Sequence, residues 1–382
     1  MIDQADVVII GGGINGCALA YELSKRDTKV VVVERSSLAA GATGRCGAGI
    51  RQQWSTHENV MLAMQSVRIF EQLEEELGAS IGFRQGGYLI AINEEEDMQQ
   101  VQQNVAMQRS LGLDIAILDP DAITDIVPIL DVKGMRSIGA TFCPTDGHAD
   151  PFKTTYAYAN AAYHAGTSIY LHSEIMDILT KNGTIQGVRT DKKTIQAPVV
   201  VNAAGAWSKQ IAAMVGLKLP NIPFKKEIIV TERMARIFDA MVISFKDGIY
   251  FSQQDEGQIL GGIPPPETVT GYHQEPTFSF LTHMASTITR YAPVLQHINV
   301  IRQWTGFYDV TPDARPILGP VEEIDGFIQC HGFSGHGFML APVVARLLAE
   351  LIVDTRSSPF LEHLNIARFA TNDLEREQSV VG

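Results

Sequence analysis

The feature that most limits what this chain can fold into is the turn Gly11-Gly12-Gly13-Ile14-Asn15-Gly16, set directly after the apolar run Val7–Ile10. Gly11, Gly13 and Gly16 fit G-x-G-x-x-G, and the pattern places a strand over 6–10, a helix over 15–26 and a second apolar strand over 29–34 that ends at Glu34. A strand, a glycine turn and a helix in that order make a βαβ unit whose helix N-terminus presents N–H groups and positive dipole to phosphates. In such a unit Gly11 makes the tight turn, Gly13 lets a pyrophosphate approach the backbone, and Gly16 lets helix and strand pack closely. The Glu34 carboxylate accepts hydrogen bonds from an adenosine ribose. A dinucleotide is therefore expected at this end of the chain.

The rest of the chain alternates between two kinds of sheet. Ser55 and Glu58 form a capping-box pattern before a helix that runs to Gly78, and Asp119-Pro120 and Asp150-Pro151 open further helices. Asn182-Gly183 reads as a hairpin turn between strands at 175–180 and 185–190. From Phe224 to Ile263 several short strands follow one another without helices, which predicts a mostly antiparallel sheet. A helix near 276–291, a strand near 300–307 and a helix over 336–353 complete the pattern. With no break in composition, two interleaved domains are expected rather than two consecutive ones.

Composition excludes several functions. Thirty Lys plus Arg against 43 Asp plus Glu leaves a net charge of -13, which opposes binding to nucleic acid. No apolar stretch reaches 18 residues, so no membrane span is expected, and the first 20 residues do not read as a signal peptide. Cys17, Cys46, Cys143 and Cys330 have neither CxxC spacing nor matching histidine pairs, so no metal site is expected and a reducing, cytoplasmic location follows.

Two further segments bear on the cofactor. Val199–Trp207 (VVVNAAGAW) is a buried-strand pattern running into a small-residue turn, and Gly332–Met339 (GFSGHGFM) sets several glycine N–H groups before the last helix. A helix N-terminus there can stabilise negative charge on a reduced flavin. With the first glycine turn, these segments resemble the FAD-dependent amino-acid oxidoreductase family of D-amino-acid oxidase, glycine oxidase and sarcosine oxidase. Gly41–Gln53, Pro144–Pro151 and the stretch from Gly332 resemble in particular the beta subunits of heteromeric L-proline dehydrogenase, sarcosine oxidase and hydrogen cyanide synthase.

The resemblance implies an α/β fold: a discontinuous Rossmann-type FAD-binding domain (1–85, 140–220 and 308–382) with an interleaved antiparallel-sheet substrate domain (86–139 and 221–307). It implies an amino-acid or amine dehydrogenase that moves a hydride from a Cα–N unit to flavin N5, acting on L-proline, sarcosine or a glycine-like substrate. A larger electron-accepting alpha subunit, with FMN at a subunit contact, is implied as well. Alternatives are a stand-alone oxidase releasing hydrogen peroxide and a non-catalytic FAD scaffold.

Carried over residue by residue, the resemblance places the cofactor against Gly11, Gly13, Gly16, Glu34, Arg35, Thr43, Arg45, Cys46, Gly47, Ile175, Ala204, Gly205 and Trp207, and against Gly332, Gly335, His336, Gly337 and Met339. Gly306 stands where monomeric sarcosine oxidase has the cysteine that binds its flavin, which implies noncovalent FAD. No lysine occurs near Ile259, where an oxygen-activating lysine is expected, and Tyr308 and Met339 replace two substrate-anchoring cations. Arg51 remains as the candidate partner for a substrate carboxylate, with a cofactor phosphate or plain surface exposure as the other readings. Tyr250, Tyr308 and Trp304 are the other substrate-side candidates, and Arg51 and Tyr250 are those placed at the reaction itself.

Overall fold

The computed structural model describes residues 2–370 and 374–379. The first strand, Val7–Ile10, is buried along its whole length, lying parallel between Val30–Val33 on one side and Val199–Asn202 on the other. Ile324–His331 continues the parallel set beside Val199–Asn202. Strands covered on both faces can be apolar at every position, which is why these runs show no alternation. Three helices supply one cover: Ile14–Ser24 packs against Pro151–His164 and Gly337–Asp354. Asp150 caps the middle one by accepting from the Phe152 and Lys153 amides.

The parallel order brings four carboxyl ends to one edge. The segments leaving Ile10, Val33, Asn202 and His331 are the glycine turn, Glu34, the 203–207 turn and the 332–337 turn. In parallel α/β sheets, that edge is where ligands sit.

A second sheet of eight strands contains Tyr88–Ile92, Ala116–Leu118, Gly139–Cys143, Ile222–Arg233, Met241–Ser244, Tyr250–Gln253, Gln258–Ile263 and Val300–Val310. It is antiparallel except where Met241–Ser244 runs parallel to Tyr88–Ile92. Two of its strands cross the expected boundaries. Gly139–Cys143 lies wholly in this sheet because it pairs with Tyr88–Ile92, and Val300–Val310 runs past 307 because its ladder with Ile222–Arg233 continues to Val310. Local sequence marks where a strand's apolar run stops, whereas its partner decides how far the ladder extends.

The hairpin over 175–190 has the expected turn, with positive φ at both Asn182 and Gly183. The capping box does not form. Thr56 is the N-cap of helix His57–Leu77 and its side chain makes no capping bond; the hydroxyls of Ser55 and Thr56 instead donate to Glu377. A buried carboxylate from the far end of the chain outcompetes the local Glu58. Among the described residues no helix is long and apolar enough to cross a membrane.

Candidate active site

At the carboxyl edge of the parallel sheet lies a cleft of about 540 Å³. Gly11, at φ +114°, begins it; a Cβ there would sit 2.4 Å from the Ala203 carbonyl oxygen. Gly16 is not at the cleft surface, since its role is contact: a Cβ would stand 2.0 Å from the Gly11 carbonyl oxygen. Glu34 ties the turn to the second strand by accepting from the Gly12 amide at 2.8 Å and the Ser36 amide at 2.7 Å. Thr43 Oγ1 accepts from the Ile14 amide at 3.1 Å. Gly13, Glu34, Arg35, Thr43, Arg45, Cys46, Ile175, Ala204, Gly205, Trp207, Gly332, Gly335 and Gly337 line the cleft with Gly11. Arg35 stacks over Trp207 at 4.0 Å from the ring centroid. Arg45 lines the cleft while its guanidinium donates to the carbonyls of Ala40 and Thr305.

The second sheet forms the opposite wall. Lys226, Ile228, Tyr250, Gly306 and Tyr308 reach the cleft from three of its strands. Lys226 is a cleft cation distant in sequence from the position near 259 where the resemblance implies a lysine. It lies one residue past Lys225, in a strand whose alternation sends 226 and 228 to the cleft. Its ammonium is 5.4 Å from the Tyr308 ring centroid, and burial lowers its pKa to about 8.

A smaller cavity, about 70 Å³, adjoins the cleft and shares Cys46, Tyr250, Tyr308, Gly335 and Phe338 with it. Gly47, Arg51, Tyr88, Met241, Ile243, His336 and Met339 also line it. Three residues expected against the cofactor, Gly47, His336 and Met339, line this second cavity rather than the cleft it adjoins. Trp304, expected at the substrate, lines neither: it packs beside Tyr250 in an apolar cluster and its indole N–H donates to the Arg45 carbonyl at 3.2 Å.

Arg51 is only 2% exposed, so the reading of a surface arginine does not hold. Its guanidinium lies over Trp54, 3.9 Å from the ring centroid; Nη2 donates to the Ser379 carbonyl, and Nε and Nη1 are buried with no hydrogen-bond partner among the described residues. Burial lowers its pKa, opposed by the Tyr88, Glu377 and Asp146 charges. Arg51 is the only Lys or Arg lining the small cavity among the described residues. Beneath it, buried Asp146 accepts from the Gln52 amide at 2.7 Å and from Gln53 Nε2 at 2.9 Å. Burial pushes Asp146 up to about 6 despite those bonds. Burial beside Arg51 pulls His336 down to about 3, so its ring is neutral at working pH, where it packs edge-on against Trp54. Tyr250 and Tyr308 are likewise raised by burial and remain neutral phenols.

The sequence model of the FAD-dependent oxidoreductase family DAO matches residues 6–351. The chain belongs to this family. It is 28% identical over 374 residues to sarcosine oxidase subunit beta of Arthrobacter sp., covering 97% of this chain and 92% of that protein. It is 27% identical to hydrogen cyanide synthase subunit HcnC of Pseudomonas protegens, over 99% of both chains. Among solved structures, L-proline dehydrogenase from P. horikoshii superposes with a TM-score of 0.93 at 37% identity, covering 98% of this chain and 100% of that one. Glycine oxidase from Geobacillus kaustophilus gives 0.87 at 25%, covering 97% and 100%. The α/β fold with its FAD-binding architecture and the assignment as an enzyme that acts on amino acids or amines follow from this membership.

The cleft fits the family's cofactor. Gly11 and Gly13 line the cleft with no side chain of their own, so phosphates can approach the start of the helix, and Glu34, though already accepting from two amides, keeps lone pairs for ribose hydroxyls. The 540 Å³ space continues from there to the 332–337 turn.

Proposed function

We propose that this protein is an FAD-dependent amino-acid dehydrogenase that oxidises the Cα–N bond of a small amino acid bound by Arg51, and that it works as the beta subunit of a hetero-oligomer in a reducing compartment. The observation that carries the reading is the small cavity adjoining the cofactor cleft, whose one Lys or Arg among the described residues is a buried guanidinium with two nitrogens that none of those residues bonds. A buried charged donor left unpaired is costly, and a ligand carboxylate removes that cost.

Bound FAD supplies the two-electron acceptor. The glycine turn and Glu34 would hold its phosphates and ribose, and the N–H groups of the 332–337 turn, which lines the same cleft, would meet the negative charge of the reduced flavin. Arg51 takes the carboxylate, Tyr250 and Tyr308 stand where the cavity meets the cleft, and Met241, Ile243, Phe338 and Met339 exclude water. Because His336 is neutral, the amino group meets no second positive charge on the walls of the small cavity. Gly306 offers no thiol, which supports noncovalent FAD. L-Proline leads the candidate substrates, supported by the 37% identity to L-proline dehydrogenase, ahead of sarcosine and glycine. The subunit role is supported by the names of the two curated relatives; the FMN that the resemblance implied has no support in them.

A second reading, an oxidase passing electrons to oxygen, is favoured by Lys226. The sequence argument against oxygen rested on a missing cation, and a cation does line the cofactor cleft. Anaerobic mixing of the yellow protein with a panel of L-proline, sarcosine, glycine and D-amino acids separates the readings. Bleaching that returns slowly in air but rapidly with an artificial dye is the expected result. Rapid recolouring in air establishes the oxidase, and a flavin that none of the panel bleaches establishes the scaffold.

A further inference from the structure

The six described residues at the far end of the chain, 374–379, lie against the loop that carries Arg51, and one of their side chains is the most heavily bonded carboxylate near the site. Glu377 is 1% exposed. Its Oε1 accepts from the Ser55 amide at 3.0 Å, from the Ser55 hydroxyl and from the Ser379 amide at 2.9 Å. Its Oε2 accepts from the Thr56 hydroxyl at 3.0 Å, the Thr56 amide at 3.3 Å and Asn59 Nδ2 at 2.7 Å. The Gln378 amide adds a bond to Ser55 Oγ, and the Glu377 amide anchors the segment to the Asp313 carbonyl. Through these bonds the Ser379 carbonyl is delivered to Arg51 Nη2.

The consequence concerns rotamer freedom. Arg51 has four side-chain torsions, and ordering such a side chain costs rotamer entropy. Here two contacts hold it before any ligand arrives: the Trp54 ring, itself fixed by Nε1 donating to the Arg51 carbonyl at 3.0 Å, and the Ser379 carbonyl. None of the described residues bonds Nε or Nη1. We propose that Glu377 is a positioning residue for the substrate carboxylate, acting through the Ser379 carbonyl on Arg51. This rests on the reading of Arg51 as the carboxylate anchor. Glu377 touches neither cavity, so it contributes by holding the guanidinium in place.

The test uses the full FAD-loaded chain with Glu377→Gln, Glu377→Asp and Glu377→Ala, each assayed on L-proline and on pyrrolidine, the same ring without a carboxylate. Glu377→Ala and Glu377→Gln should raise KM for L-proline about tenfold, because part of the cost of ordering the guanidinium is no longer met in advance. The kcat for L-proline should stay within about twofold, pyrrolidine kinetics should be unchanged, and Glu377→Asp should recover part of the loss. Titration with cyclopentanecarboxylate, followed by tryptophan fluorescence in FAD-free and loaded protein, should show the same tenfold loss of affinity and gives a readout independent of turnover. Equal losses on proline and pyrrolidine, with a lowered Tm and unaltered carboxylate affinity in the folded fraction, would make Glu377 merely structural. Improved carboxylate binding would make the segment a plug and overturn the proposal too. Arg51→Ala separates this failure from failure of the anchor: if it abolishes the preference for proline over pyrrolidine while the Glu377 variants keep it, only the role of Glu377 is wrong. If Arg51→Ala keeps that preference, the anchor itself lies elsewhere.

Discussion

At the carboxyl edge of the parallel sheet the cofactor cleft is lined by turns that follow four neighbouring strands, with glycines at Gly11, Gly13, Gly205, Gly332, Gly335 and Gly337. In the adjoining cavity the wall is side chains, brought from Arg51, Tyr88, Met241, Tyr250, Tyr308 and His336 across both sheets. The first kind of wall needs residues that keep out of the way, and its specificity lies in where N–H groups point. The second needs residues that reach in, each held by its own set of neighbours. The two should therefore fail differently when altered: the cleft through sterics at one turn, the cavity through charge and support.

The largest effect is expected where the backbone has no latitude. Gly11→Ala places a methyl 2.4 Å from the Ala203 carbonyl oxygen at a φ of +114°. Strain at such a backbone angle costs about 1 to 3 kcal/mol before the overlap is relieved. Relief must come from moving either the glycine turn or the 203–207 turn, both of which line the cleft. The purified variant should carry almost no FAD, read from the ratio of 450 nm to 280 nm absorbance. Full FAD content would show that the cleft tolerates a displaced backbone, and the contrast between the two walls would lapse.

Next comes a buried carboxylate in the support of the cavity. Asp146 has a folded pKa of about 6, raised from 3.8 chiefly by burial. A pKa raised on folding means that the native state holds the proton more tightly. The stabilising contribution is complete below pH 3.8 and is lost as pH rises through 6, amounting to about 3 kcal/mol for a shift of roughly two units. Asp146→Asn removes this titration. It also places an amide among the Gln52 and Gln53 donors, a penalty that does not vary with pH. Denaturant titrations from pH 4 to 8 should show the variant gaining on the wild type as pH rises. A difference that stays constant across that range would mean that Asp146 is ionised throughout and that Arg51 offsets its burial fully.

Arg51→Ala tests the cavity's one charge. Hydrogen bonds to charged groups contribute about 1.5 to 3 kcal/mol, so kcat/KM for an amino acid should fall about ten- to hundredfold. Its decarboxylated amine should lose far less, and FAD content should stay near the wild-type level because Arg51 lines only the small cavity. Loss of FAD with the acid preference intact would return Arg51 to the cofactor side.

What could be read from the sequence follows the same division. The glycine turn, Glu34 and the strand ends Val199–Asn202 and Ile324–His331 are local patterns, and the parallel sheet gathers them at one edge. Residues of the turns that follow them accordingly line one cleft. Met241 and Tyr88 belong to separate strands with nothing in their own neighbourhoods to mark a cavity, and only the parallel pairing of Met241–Ser244 with Tyr88–Ile92 sets them side by side. His336 and Met339 belong to the same 332–339 motif as Gly335, and they line the adjoining cavity, which shares Gly335 with the cleft. Lys226 went unmarked because a lysine beside another lysine reads as a solvated pair, and strand alternation alone decides which one faces the cleft. Glu377 had no local signal at all, since its donors lie some 320 residues earlier.

The smallest expected effect belongs to the tyrosines at the junction, where both kinds of wall meet. Tyr250 and Tyr308 line the cleft and the cavity alike, and burial keeps both phenols neutral, Tyr308 with a pKa of about 12. A neutral hydroxyl contributes about 0.5 to 1.5 kcal/mol through a hydrogen bond, against the larger share of a charged donor. Tyr250→Phe and Tyr308→Phe should therefore lower kcat/KM about two- to tenfold while the ring continues to fill the same wall. Because neither phenol ionises in the working range, the loss should be the same from pH 6 to 9. It should also be the same for an amino acid and for its decarboxylated amine, since the carboxylate is met by Arg51. A loss that grows with pH would assign one of these tyrosines a proton-transfer role that neutral, buried phenols do not support. A loss confined to the amino acid would place it at the carboxylate and divide the anchor between a charged group and a neutral one.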